Sequence, residues 1–65
     1  MRNSMKAIKD MDALLIDDSD MIRQSSRLLM KKIGFSHDKI KLVGDASRAF
    51  MECRVTEFDL LIVDY

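Results

Sequence analysis

The sequence predicts an α/β fold: three layers around a parallel sheet, in the order β-α-β-α-β, with strand order 2-1-3. Three observations predict it. Two short apolar runs, Ala13-Leu14-Leu15-Ile16 and Leu60-Leu61-Ile62-Val63, each stop abruptly at aspartate. Uninterrupted runs of this length suit strands buried on both faces, the usual state of parallel-sheet strands. Between them lie two stretches of helical period, separated by a short strand-like segment, Ile40 to Val43, and the punctuation Gly44-Asp45. Crossover connections of this kind are right-handed in nearly all cases, which places the helices on the faces of the sheet.

Residues 1–10 are polar and non-periodic and read as a lead-in, at least partly mobile. Residues 11–65 form the domain. The first strand, Ala13 to Ile16, ends at Asp17-Asp18. Ser19 or Asp18 can cap the helix that follows, and Asp20 in its first turn suits the helix dipole. From Asp20 to Ile33, residues Ile22, Ser25, Ser26, Leu29 and Ile33 share one face, with Met30 beside them. Arg23, Arg27 and Lys31 point elsewhere and, with Lys32, read as a solvated face. Lys31 and Lys32 favour the helix end, Gly34 suits the C′ position, and Phe35 can make the closing contact. A loop from Gly34 to Lys39 leads to the second strand, Ile40 to Val43. A second helix is expected from about Ala46 to Val55, with Ala46, Ala49, Phe50 and Cys53 inward. Phe58 to Val63 is the third strand, ending at Asp64. In the flavodoxin-like winding the first strand lies between the second and third.

The chain has 65 residues, 48% hydrophobic and 34% charged, with eleven basic and eleven acidic side chains. The balance argues against a nucleic-acid or membrane-surface binder, which usually carries a basic excess. The longest purely apolar runs are four residues, far below the ~20 needed to cross a bilayer. The first ten residues contain no signal-peptide core. A lone Cys53 excludes an intrachain disulfide, and no metal-type Cys/His spacing occurs. A cytoplasmic protein is expected.

The chemistry lies in the aspartates. Strands one and three are neighbours in this winding, about 4.8 Å apart. Their carboxyl ends therefore gather Asp17, Asp18 and Asp64 at the edge where open α/β sheets bind ligands. Clustered carboxylates repel unless a proton or cation intervenes. Mg²⁺ takes oxygen ligands, keeps several waters and uses one or two carboxylates beside phosphate oxygens. Such a site suits phosphoryl transfer to a carboxylate.

Leu-Leu-Ile-Asp-Asp-Ser (14–19) followed by Arg23, Val-Gly-Asp-Ala (43–46), and Phe-Asp-Leu-Leu-Ile-Val-Asp (58–64) resemble, in order, motifs of response-regulator receiver domains. The resemblance covers residues 12–65, the N-terminal half of a truncated flavodoxin-like receiver fold. It implies a two-component phosphorelay protein, not an enzyme, in which Asp64 accepts phosphate from a sensor histidine kinase or phosphotransfer protein. It also implies Mg²⁺ held by Asp17, Asp18 and Asp64, one contact passing through water. The sequence departs from the family between Ala46 and Asp59, which is about one helical turn short, and at Ser47-Arg48, where Asn-Gly or Asp-Gly is common. The family's switch Ser/Thr, its later Lys and its partner face have no counterpart up to Tyr65, so phosphorylation of the 65-residue chain is expected to be lost or crippled.

Plainer readings stand beside these. Asp17 and Asp18 also suit a helix cap, and Asp64 a solvated turn. Cys53 reads as a small core thiol, His37 as a surface residue, and the methionines as core filler, with Met1 and Met5 in the tail. Two other functions fit parts of the sequence. One is an interaction module, a homo-oligomer joined through the exposed third strand. The other is a haloacid-dehalogenase-like phosphatase, for which Asp18-Ser19-Asp20 offers Asp-x-Asp, although Met21-Ile22 replaces the expected continuation.

Overall fold

The computed structural model describes residues 6–64. Its sheet has three parallel strands, β1 (Ala13–Asp17), β2 (Ile40–Val43) and β3 (Leu60–Asp64), in the order β2-β1-β3. Helices α1 (Asp20–Ile33) and α2 (Ala46–Val55) make the crossovers. The expected three-layer α/β fold and strand order are observed.

The central strand is buried throughout, with Leu14 fully inaccessible. Its side chains alternate between two cores. Leu14 and Ile16 pack with Val43, Ala49 and Phe58 on the α2 side, while Ala13 packs with Met30, Ile40, Phe35, Leu42 and Ile62 on the α1 side. The register pairs Ala13 with Ile40 and Leu60, and continues to Asp17 opposite Asp64.

Local signals set the helix ends. Ser19 Oγ accepts the Ile22 N–H at 3.3 Å, and Asp45 Oδ1 accepts the Arg48 N–H at 2.8 Å, each satisfying an orphan donor of a first turn. Gly34 closes α1 at φ 132°, a region that side chains disfavour. Its N–H reaches the Met30 and Lys31 carbonyls, and Phe35 N–H also reaches Met30.

Several expectations change. β3 begins at Leu60 instead of Phe58, because Asp59 is occupied in a polar clamp to Asp12. The lead-in is docked from residue 6. Lys6 pairs with Asp59, Ile8–Asp10 form a 3-10 turn, and Ser36 Oγ donates to the Lys9 carbonyl. The rest of the expected mobile lead-in, residues 1–5, lies outside the described residues, as does Tyr65.

The helix faces also differ. α1 buries Met30 and half-buries Arg23, Ser26 and Arg27, leaving Ile22, Leu29 and Ile33 exposed. α2 buries Ala49, while Ala46, Phe50 and Cys53 are exposed. The cause is placement. Both helices pack on β1 and β2, so only the stripe facing those strands is covered. On α1 the Arg23 side chain reaches the β2 end, and Ile22, Leu29 and Ile33 lie outside the covered stripe. On α2 the Glu52 side chain reaches Lys41 of β2, and Phe50 and Cys53 likewise lie outside it. Cys53 is therefore not a core thiol, and of the methionines Met30 is core whereas Met21 and Met51 are exposed. His37 is exposed, as expected. Among the described residues no helix is long and apolar enough to cross a membrane.

Candidate functional site

The strand ends carry the acids to one place. Side chains two residues apart share a sheet face, so Asp17 projects on the same side as Ala13, and its register partner Asp64 projects beside it. β1 lies between two strands and beneath two helices, so Asp17 is buried, with 3% of its surface exposed. Asp64 stands on the edge strand and is exposed. One residue further on, the chain turns into α1, and Asp18 is exposed.

The two oxygens of Asp17 differ. Oδ1 accepts the Ser19 N–H at 2.8 Å. Oδ2 is buried and has no hydrogen-bond partner among the described residues. An unsatisfied buried carboxylate oxygen is costly and calls for a ligand, a proton or a cation. The Asp64 carboxyl beside it can supply a hydrogen only when protonated. Accordingly the Asp64 carboxyl is held above its usual value of 3.8, first by the hydrogen bond with Asp17, then by the Asp17 charge, by desolvation and by the Asp18 charge. Two carboxyl groups so close favour sharing one proton.

Among the described residues no basic side chain is ion-paired to the Asp17 or Asp64 carboxylate. Arg23, half-buried above the strand ends, donates Nη1 to the Asp17 main-chain oxygen and Nη2 to Asp20 Oδ1 at 3.2 Å. It is not the solvated residue that helical spacing suggests. Its signal in the sequence was the conjunction of an arginine one turn after the cap and a glycine at 44. An ideal Cβ on Gly44 would stand 3.2 Å from Arg23 Nη1, so the turn after β2 packs directly on the guanidinium.

Of the three expected ligands, the structure brings Asp17 and Asp64 together, while Asp18 reaches the pair through its charge. Among the described residues no three carboxylate, imidazole or thiol groups form a ready-made ligand set. A buried, partnerless oxygen beside a second carboxylate nevertheless suits a hard cation that takes one or two carboxylates and completes its shell with water. The phosphatase signature fares differently. Asp20 opens α1 and is ion-paired to Arg23, which a free general acid would have to break. An open groove of about 420 Å³ lined by Leu42, Val43, Arg48, Met51 and Glu52 includes none of the three acids.

Comparison of the chain with protein-family models, with curated proteins and with solved structures finds no match.

Proposed function

We propose that this chain carries the phosphoacceptor site of a response-regulator receiver, with Asp64 phosphorylated by a histidine kinase or phosphotransfer protein in the cytoplasm. The observation that carries the reading is the registered pair Asp17 and Asp64 at the carboxyl edge, one oxygen of Asp17 buried without a hydrogen-bond partner among the described residues. Asp64 is the exposed member and so the one a phosphodonor can reach. One of its carboxylate oxygens forms the bond to phosphorus. The phosphorus–nitrogen bond of the donor phosphohistidine breaks, and the imidazole leaves with the electron pair. Asp17, with Asp18 contributing charge, would hold Mg²⁺ beside Asp64. When bound, the ion supplies positive charge against the phosphoryl oxygens. The raised Asp64 pKa bears on the first step, because a protonated carboxyl is a poor nucleophile and a cation at Asp17 would favour the ionised form.

The test is incubation of the chain with Mg²⁺ and acetyl phosphate, or with beryllofluoride, beside Asp64→Asn. A spectral change at Asp17 and Ser19, with at most a weak phosphoryl mass increase in the 65-residue chain, is expected in the parent and absent in the variant. An equal response in both would rule out Asp64 as the acceptor. Turnover of a generic aryl phosphate would favour the phosphatase instead.

A second reading, a self-associating module, is favoured by a separate observation. β3 is an edge strand with Leu60, Leu61 and Val63 exposed, and Leu29 and Ile33 of α1 and Phe50 of α2 are exposed apolar residues on the two helices. An occupant matching all three layers must offer a strand edge with a helix on each side. A second copy does so. A two-fold axis perpendicular to the sheet sets β3 antiparallel to its copy and α1 beside α1, and residues 60–63 bring no charge into the seam. Light scattering at micromolar concentration should give twice the chain mass, and Leu61→Lys should return the monomer. A folded monomeric parent would refute this reading.

A further inference from the structure

We propose that Arg23 is a positioning residue that orients Asp17 without neutralising it. The inference rests on the reading of Asp17 and Asp64 as a cation-binding pair, and it concerns how that pair stays available.

Arg23 lies at the acidic edge, yet neither of its hydrogen bonds goes to the Asp17 or Asp64 carboxylate. Nη1 donates to the Asp17 main-chain oxygen, and Nη2 to Asp20 Oδ1. The main chain of Asp17 is therefore held from the α1 side, while its side chain is held by the Ser19 N–H on Oδ1. Two restraints on one residue fix the direction of the carboxylate and leave Oδ2 buried without a hydrogen-bond partner among the described residues. The planar, forked guanidinium can do this because its donors diverge in fixed directions. Gly44 completes the seat. A Cβ there would press on Nη1 at 3.2 Å, so the bare backbone lets the guanidinium lie between the ends of β1 and β2.

A lysine would act differently. Its compact ammonium swings on a flexible stem, cannot serve the Asp17 oxygen and Asp20 in the same divergent geometry, and is free to pair with the carboxylates themselves. It would compete with a cation for the oxygens that Arg23 leaves open. Retaining the positive charge is therefore not sufficient on this inference; the fork is required.

The experiment uses the full chain and three variants, Arg23→Lys, Arg23→Ala and Gly44→Ala, with two readouts. The first is hydrogen exchange of the Ser19 amide, which reports the Asp17 carboxylate directly and needs no metal. The second is titration with Mg²⁺ alone, followed at the Asp17 and Asp64 resonances. Exchange at Ser19 should quicken about tenfold in both Arg23 variants, as for loss of a charge-assisted restraint. It should quicken less in Gly44→Ala, which changes no charge. Apparent Mg²⁺ affinity should fall in the same order. Unchanged Ser19 exchange in a folded Arg23→Lys overturns the proposal, including when Arg23→Ala fails to fold, because the side chain would then serve only to fill space. Faster exchange in the variants, with no Mg²⁺-dependent shift in the parent, would leave the positioning intact and defeat the cation-binding reading instead.

Discussion

The two ends of the β1–β3 pair carry the same chemistry in opposite states. At the amino end, Asp59 meets the backbone of Asp12. There the Asp59 carboxylate accepts the Asp12 N–H at 2.9 Å and the Lys6 ammonium at 3.1 Å, and Lys39 stands 4.0 Å from Asp12. At the carboxyl end, Asp17 and Asp64 face each other, and among the described residues no basic side chain is ion-paired to either. The Asp59 carboxyl is held below its usual value, chiefly by the Asp12 N–H and then by Lys6, whereas that of Asp64 is held above it, chiefly by Asp17. One pair is satisfied and the other is not. A polar cluster completed by its own chain reads as structure, and one left incomplete in a ligand-binding position reads as function.

Breaking the satisfied end should have the largest effect. Asp59→Ala removes the acceptor of the Asp12 N–H and releases Lys6, loosening the turn that delivers β3 to the sheet. Thermal unfolding should drop by several degrees. The sign with pH follows from the lowered pKa. The contribution of Asp59 is present above the unfolded value of 3.8 and is lost as pH falls through the lower folded value. Parent and variant should therefore converge in strong acid. A constant difference across that range would mean that the charge of Asp59 is not what holds the clamp.

The difference between the ends also explains what the sequence made legible. Element order and the helix ends were readable because they rest on nearby residues, the apolar runs, Ser19, Gly34 and the Gly44-Asp45 punctuation, whereas strand order was read from the flavodoxin-like winding. The pairing of Asp17 with Asp64 was readable from the winding alone. The amino-end clamp was not, since Lys6 and Asp59 are 53 residues apart and Lys6 lies in the non-periodic lead-in. The buried faces of α1 and α2 were read too widely. Helical period marks every apolar flank, but the sheet covers only the stripe above β1 and β2, so Leu29 and Phe50 remain 60% and 69% exposed. Arg23 was read as solvated because spacing sets its direction but cannot show that a strand end lies beneath it.

A smaller change should sharpen the contrast at the unsatisfied end. Asp64→Asn removes one of two facing carboxylates and supplies a donor where Asp17 Oδ2 has none. Its effect on stability should be opposite in sign to that of Asp59→Ala. Because the folded pKa of Asp64 is raised, the parent gains relative stability below the unfolded value of 3.8 and loses it as pH rises through the higher folded value. As pH rises and Asp64 loses this advantage, repulsion from Asp17 and Asp18 opposes folding, so at neutral pH the asparagine variant should unfold at higher temperature than the parent. Its advantage should fade in acid, where the parent carries its own proton between the two groups. Mg²⁺ should narrow the neutral-pH gap by stabilising the parent, which keeps both carboxylates, more than the variant. Thermal melts at acid and neutral pH, with and without Mg²⁺, check all three statements together. A variant less stable than the parent at neutral pH would mean that the pair is already relieved within the chain, and the carboxyl end would then be as finished as the amino end.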